Sequence, residues 1–280
     1  MKTGIVNKII DSTLIDGPGS RLAVFLQGCN LSCRYCHNPE TQRLCDHCGR
    51  CVPACPADAL SLRDGRVVWD EVRCVRCDSC LAVCPHYSSP KTRIMTVAEV
   101  FARIAAVQDF LDGITVSGGE CTLQHDFLLA LLRRVKAETA LTTFIDTNGL
   151  IPPAVLAELS AVTDGFMFDL KALDPDLHRR LTGGDNALIL RNLATVSARG
   201  TLYEVRTVVV PGYTDDPAEI RRIAELVGDL NRYTRYKLIP FRPQGVRGEL
   251  AAAPPMERER FAELVAAARG ALGGRLVEGR

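Results

Sequence analysis

No sign of charge dominates this sequence: 34 lysines and arginines stand against 33 aspartates and glutamates, a formal net charge of +1. That balance excludes a global basic field of the kind that draws nucleic acid or an anionic membrane surface. No charged-then-apolar leader ends in a small-residue cleavage site, and no apolar run is long enough to span a bilayer. Both absences point to a cytoplasmic protein whose thiols stay reduced. Internal repeats are missing too, apart from one duplicated cysteine pattern. The 280 residues, 47% of them hydrophobic, suffice for one large domain or two with a sizeable core.

Eleven of the 12 cysteines fall into three tight groups: Cys29, Cys33 and Cys36; Cys45, Cys48, Cys51 and Cys55; Cys74, Cys77, Cys80 and Cys84. The last two groups share the spacing C-x2-C-x2-C-x3-C and run directly into Pro56 and Pro85. This is the run of bacterial two-cluster ferredoxins, in which each fourth cysteine ligates the other cluster. On that pattern Cys84 joins Cys45, Cys48 and Cys51, and Cys55 joins Cys74, Cys77 and Cys80. Structural zinc is the weaker account, because zinc sites usually present two separated pairs rather than one run of four thiolates followed by proline. Disulfides fit poorly with a reducing compartment. The first group, C-x3-C-x2-C, is one thiolate short of a full cubane set. A cluster held by three cysteines keeps one iron open, so a substrate can coordinate there. Cys121, outside the groups, reads as a small buried hydrophobe.

Residues 45–90 read as a loop-rich, cysteine-dense insert whose clusters replace a hydrophobic core. On either side, short β-branched apolar runs alternate with amphipathic stretches. Strands are expected at 22–27, 114–117, 143–146, 166–170, 203–210 and 236–240, and helices at 97–108, 126–138, 186–199 and 217–230. Repeated βα units imply a parallel sheet with helices outside. The chemistry-bearing residues sit where strands end: Cys29, Cys33 and Cys36 after the first, Gly118, Gly119 and Glu120 after the second, Asp146 and Thr147 at the third, Asp169 and Lys171 at the fourth. Such ends converge on one face of a parallel barrel. Six units predict a partial (β/α)6 TIM-like barrel, residues 1–44 and 91–280, with an inserted two-cluster ferredoxin-like domain.

With aromatic Tyr35 before its last cysteine and Gly118-Gly119-Glu120 downstream, the three-cysteine motif resembles that of the radical S-adenosylmethionine (SAM) enzymes. Asp16-Gly-Pro-Gly-Ser-Arg21, Phe25, Gly28-Cys29 and Cys36-His37-Asn38-Pro39 are similar to the glycyl radical enzyme activating enzymes. Asp146-Thr-Asn-Gly149, Asp169-Leu-Lys171 and the segment Arg206 to Gly212 extend the likeness to pyruvate formate-lyase activase. The ferredoxin run places the chain among the longer activases, and the Asp16 to Arg21 opening, Phe25 to Asn30 and Gly113 to Glu120 resemble the YjjW-type activases. The resemblance implies three 4Fe–4S clusters, SAM, and a 5′-deoxyadenosyl radical that takes hydrogen from a glycine of a partner glycyl radical enzyme. It also implies a reduced flavodoxin or ferredoxin as donor and a monomeric activase.

Residue roles follow from the same resemblance. Tyr35, Gly118, Gly119, Glu120, Asp169 and Lys171 are expected at SAM, the glutamate accepting from its ammonium group. Asp16, His37 and Arg206 are expected at the glycyl peptide, and Asp146, Thr147 and Met167 at a monovalent cation. Arg242 replaces the histidine of the activase's Pro-Tyr-His segment; a donor-only guanidinium can bind a ribose hydroxyl or the SAM carboxylate but cannot accept a proton. Two rivals compete with this reading. A radical SAM enzyme for a small molecule shares the cysteines and Gly-Gly-Glu, whereas an electron-transfer ferredoxin explains only eight cysteines.

Overall fold

The computed structural model describes residues 2–279. Strand β1 (Thr3–Thr13) turns back into β2 (Arg21–Leu26), and the two pair antiparallel. The chain then leaves the sheet and forms a separate hairpin, β3 (Leu60–Arg63) with β4 (Arg66–Trp69), and one turn of helix α1 (Ser79–Ala82). It returns as β5 (Arg93–Thr96), antiparallel to β1, and enters helix α2 (Val97–Ala105). Strict alternation follows: β6 (Gly113–Gly118), α3 (His125–Glu138), β7 (Thr142–Thr147), α4 (Pro153–Ser160) and β8 (Gly165–Asp169). Helices α5 (Pro175–Thr182) and α6 (Ala187–Ala198) lead to β9 (Leu202–Val209), and α7 (Pro217–Asp229) to β10 (Arg235–Pro240). Helix α8 (Arg258–Leu272) precedes the short β11 (Leu276–Glu278). The sheet order is β11-β10-β9-β8-β7-β6-β2-β1-β5.

All six expected strands are present, and they form the parallel run β2, β6, β7, β8, β9, β10. Positions along β2 and β6 are buried almost without interruption, as in a strand covered on both faces. Local chemistry fixes helix starts: Thr96 and Glu99 form a reciprocal capping box on α2, while Asp174 and Asp216 cap α5 and α7 ahead of prolines. The sheet is not wholly parallel. β1 and β5 extend it antiparallel, and β1 escapes a period-2 search because two register shifts interrupt it and only Gly4 and Val6 of its 11 residues are fully buried.

Arg21, the last residue of the Asp-Gly-Pro-Gly-Ser-Arg motif, is 0% exposed. Its guanidinium donates to the Thr115 hydroxyl (2.8 Å), the Pro18 carbonyl (3.0 Å) and both the hydroxyl and carbonyl of Thr142 (3.0 Å each), and it stacks over Phe144. The motif thus ties together the N-terminal ends of β2, β6 and β7. Among the described residues no helix is long and apolar enough to cross a membrane.

Candidate active site at the strand ends

One cavity opens at the C-terminal ends of β2, β6, β7 and β8. Cys29, Cys33 and Cys36 line it together with Tyr35, His37, Ser117, Gly118, Gly119, Asp146, Thr147, Asp169 and Lys171. The cysteine loop is held by backbone bonds to distant segments: Gly28 N–H to Thr41 O and Cys29 N–H to Gln42 O (2.8 Å each), Ser32 N–H to Thr182 O (2.8 Å) and Arg34 N–H to Leu181 O (2.9 Å). The Gln27 amide donates to the carbonyls of Glu40 and Arg43 (2.7 and 2.6 Å), closing the loop on itself. Sequence reasoning missed Gln27, since a glutamine at a strand end carries no signal of its own.

The paired glycines have a packing reason. Gly118 adopts φ +125°, and a Cβ there would sit 2.1 Å from the Leu26 carbonyl oxygen; one on Gly119 would sit 2.3 Å from that of Gly28. Only glycine lets β6 approach the cysteine loop this closely. At the end of β8, the Lys171 ammonium donates to Asp169 (2.8 Å) and lies 5.7 Å from the Tyr35 ring centroid. Burial alone would lower the Lys171 pKa, but Asp169 and the neighbouring Tyr35 and Cys33 outweigh it and hold the ammonium charged.

Burial pushes the Cys29 thiol up to about 11 and Cys33 to about 12, and raises Cys36 as well. Such thiols ionise only with a cation to compensate them, which is what bound metal supplies. One further group is left unfinished. The Tyr35 hydroxyl is buried without a hydrogen-bond partner among the described residues. An unmade bond of this kind costs about 1–3 kcal/mol, so the cavity has the character of a site completed by a ligand. The donor set fits an iron–sulfur cluster with an open coordination position.

Residues 23–226 match the radical SAM superfamily. The chain is 35% identical over 246 residues to the (2S)-3-sulfopropanediol sulfolyase activating enzyme of Bilophila wadsworthia, with 81% of each chain covered. It is 32% identical over 252 residues to the pyruvate formate-lyase-activating enzyme of Streptococcus mutans, covering 87% of this chain and 79% of that one. This chain is a radical SAM protein of the glycyl radical enzyme activating family. Among solved structures, QueE from Escherichia coli shares the fold at a TM-score of 0.55 and 15% identity, covering 99% of this chain and 94% of that chain.

The structure places several of the residues expected at SAM, the peptide or a cation outside the cavity lining or in contact with one another. The Glu120 carboxylate does not line the cavity. It is 1% exposed and accepts from the Thr122 N–H (3.1 Å), the Thr122 hydroxyl (2.7 Å), the Thr147 hydroxyl (2.9 Å to each oxygen) and the Asn148 N–H (2.8 Å). These bonds join the β6 and β7 loops through the Glu120 carboxylate. Arg242 is exposed and outside the cavity lining, because Phe241 takes the buried position after β10. What Arg242 contributes is its carbonyl, 2.8 Å from His37 Nε2.

The expected cation site is also differently built. Thr147 is spent on Glu120, and the Met167 sulfur accepts from Arg206 (2.8 Å). Arg206 itself pairs with Glu204 (2.6 Å) and stands 3.2 Å from Asp146 Oδ1, outside hydrogen-bond geometry. The positive charge beside Asp146 is therefore a guanidinium. Burial raises the Asp146 pKa to about 6, with Arg206 opposing the rise. Asp16 and His37 do not meet at one entrance: Asp16 lies in the loop before the N-terminal end of β2, bonded to Thr13 (2.7 Å), whereas His37 follows its C-terminal end.

Away from this cavity, the remaining grouped thiols sort into two sets. One small cavity is lined by Cys45, Cys48, Cys51, Cys84 and the edge of Cys80, and the other by Cys55, Cys74, Cys77 and Cys80. Cys121 is fully buried in the main core, its thiol directed at the Val116 carbonyl (3.4 Å).

Proposed function

We propose that this protein activates a partner glycyl radical enzyme, and that it is built as a partial (β/α)6 barrel (residues 1–44 and 91–280) carrying a two-cluster ferredoxin-like domain at 45–90. The observation that carries the reading is the single cavity joining three thiols to Gly118, Gly119, Asp169, Lys171 and an unpartnered Tyr35 hydroxyl. Cys29, Cys33 and Cys36 would hold a 4Fe–4S cluster, which when bound supplies the electron for reductive cleavage of SAM. Lys171 and Asp169 present paired charges suited to the carboxylate and ammonium of an amino acid. The close-packed glycine backbone and Tyr35 wall the same space. Asp16, His37 and Arg206 would contact the glycine loop of the partner.

Relatives in the family are named for partners as different as a sulfolyase and a formate-lyase. What such partners share is the glycine, so recognition centres on that loop. Two sets of four thiols, divided as the exchanged ferredoxin pairing requires, support two further 4Fe–4S clusters. The ends of the insert are pinned by the Arg43–Ser88 bridge. A reduced flavodoxin or ferredoxin would load these clusters, and the activase would work as a monomer.

The test is anaerobic reconstitution with iron and sulfide analysis, SAM cleavage, and electron paramagnetic resonance after mixing with candidate glycyl radical enzymes. A protein-based glycyl radical and three clusters are expected. Cys36→Ser should abolish SAM cleavage, a loss of roughly a hundredfold or more, because a hard alkoxide is a poor ligand for the cluster. Cys77→Ser should spare SAM binding and slow turnover with the natural donor. SAM cleavage without radical transfer to any glycyl radical enzyme would instead favour a small-molecule substrate.

A further inference from the structure

The chain holds a single tryptophan, Trp69. It closes β4 opposite Leu60 and lines the cavity of Cys55, Cys74, Cys77 and Cys80. Its indole nitrogen is buried and finds no acceptor among the described residues. The ring itself is held: Arg93, paired with Glu71 at 2.8 Å, lies 5.8 Å from the ring centroid. An indole N–H can only donate, so a buried one requires an acceptor. The side chains around this cavity offer few. Asp78 is already paired with Lys91, and what remains is apolar or sulfur.

We propose that the Trp69 indole N–H donates a hydrogen bond to a sulfur of the cluster held by Cys55, Cys74, Cys77 and Cys80, and that it thereby favours that cluster's reduced form. The inference rests on reading the insert as a two-cluster domain. Hydrogen bonds to cluster sulfur stabilise the more negative, reduced state and raise the potential. Trp69 acts through the cluster and is a positioning residue, not a catalytic one. It sets apart one of the two insert clusters as the easier to reduce, and so gives the pair an order in which it fills.

Because the tryptophan is unique, labelling it alone is simple. Full-length protein carrying indole-15N tryptophan is reconstituted anaerobically, assayed for iron and sulfide, reduced, and studied by pulsed electron paramagnetic resonance. A 15N hyperfine coupling to an insert cluster is the expected result. Full iron content with no coupling overturns the proposal while leaving the two-cluster insert standing. Iron sufficient only for the catalytic cluster overturns the insert reading, and this inference with it. In parallel, Trp69→Phe keeps an aromatic side chain, smaller than the indole, and removes the donor. Iron content should stay at the native level while one insert midpoint moves to more negative potential; an unmoved midpoint at full iron refutes the role. Should Trp69→Phe fail to assemble, the labelled native protein decides alone.

Discussion

The sheet-and-helix body and the cysteine-rich segment are held together by different physics. The body buries one continuous core, from Val6 and Leu22 on the N-terminal strands to Leu272 at the end of α8. The segment's own apolar cluster has four buried members, Cys51, Leu60, Val67 and Cys80, and two of those are cysteines. Backbone strain divides the same way. Every non-glycine residue with a left-handed φ among the described residues lies between 47 and 87: His47, Asp58, Asp64, Arg76, Asp78 and Tyr87. Each such conformation costs about 1–2 kcal/mol, and six of them are set against a cluster of only four buried side chains. On the two-cluster reading, metal–thiolate bonds supply what the missing core does not. The body then needs no metal to fold, and the segment does.

Removing iron is the sharpest way to break that comparison. Chelation under anaerobic, reducing conditions should leave the far-ultraviolet dichroism of the body largely intact while residues 45–90 become the first site of limited proteolysis. If apo-protein resists protease across this segment as well as holo-protein does, the β3–β4 hairpin and its neighbours fold without metal. Body and segment would then both be stable without iron. A smaller but still large effect is expected inside the body from Gly118→Ala. A Cβ placed 2.1 Å from the Leu26 carbonyl, at φ +125°, forces the cysteine loop and β6 apart, at a cost of about 3 kcal/mol in chemical denaturation. SAM binding should fall with it, and segment 45–90 should keep its iron.

The sequence pattern of the body was largely readable for the same reason that its core is large. Strands such as β2 and β6 carry unbroken apolar, β-branched runs, and helices such as α2 announce their first turn with a capping box. Legibility failed where a residue's partner is distant. Nothing near Glu120 in sequence says that its acceptors are filled by Thr147 and Asn148 across the next strand, and nothing near Met167 says that Arg206 covers its sulfur. The β3–β4 hairpin was readable but masked by the cysteines around it. Asp64-Gly65, both at positive φ, joins two short strands in the manner of a two-residue primed turn. On the two-cluster reading, spacing alone groups the thiols because ligation by one cluster constrains neighbours in the chain.

The smallest expected effect tests whether Glu120 belongs to the scaffold or to the ligand. Glu120→Gln keeps size and shape but replaces one accepting oxygen by an NH2 that must face donors, either the Asn148 N–H or the Thr122 N–H with the hydroxyls of Thr122 and Thr147. The hydroxyls can rotate to accept; neither backbone N–H can. The stability loss should be about 1–2 kcal/mol, measured on apo-protein by urea denaturation so that cluster content does not enter. SAM affinity of the reconstituted protein should change by no more than about 3-fold, since loop joining is weakened but not lost. A direct contact with the SAM ammonium predicts the reverse ranking, because removing the charge from a charge-assisted hydrogen bond costs about 1.5–3 kcal/mol of binding, or more than tenfold in affinity. Near-native folding stability with a tenfold or greater loss of SAM binding would therefore return Glu120 to the ligand and reassign the Thr147–Asn148 contacts as a resting arrangement.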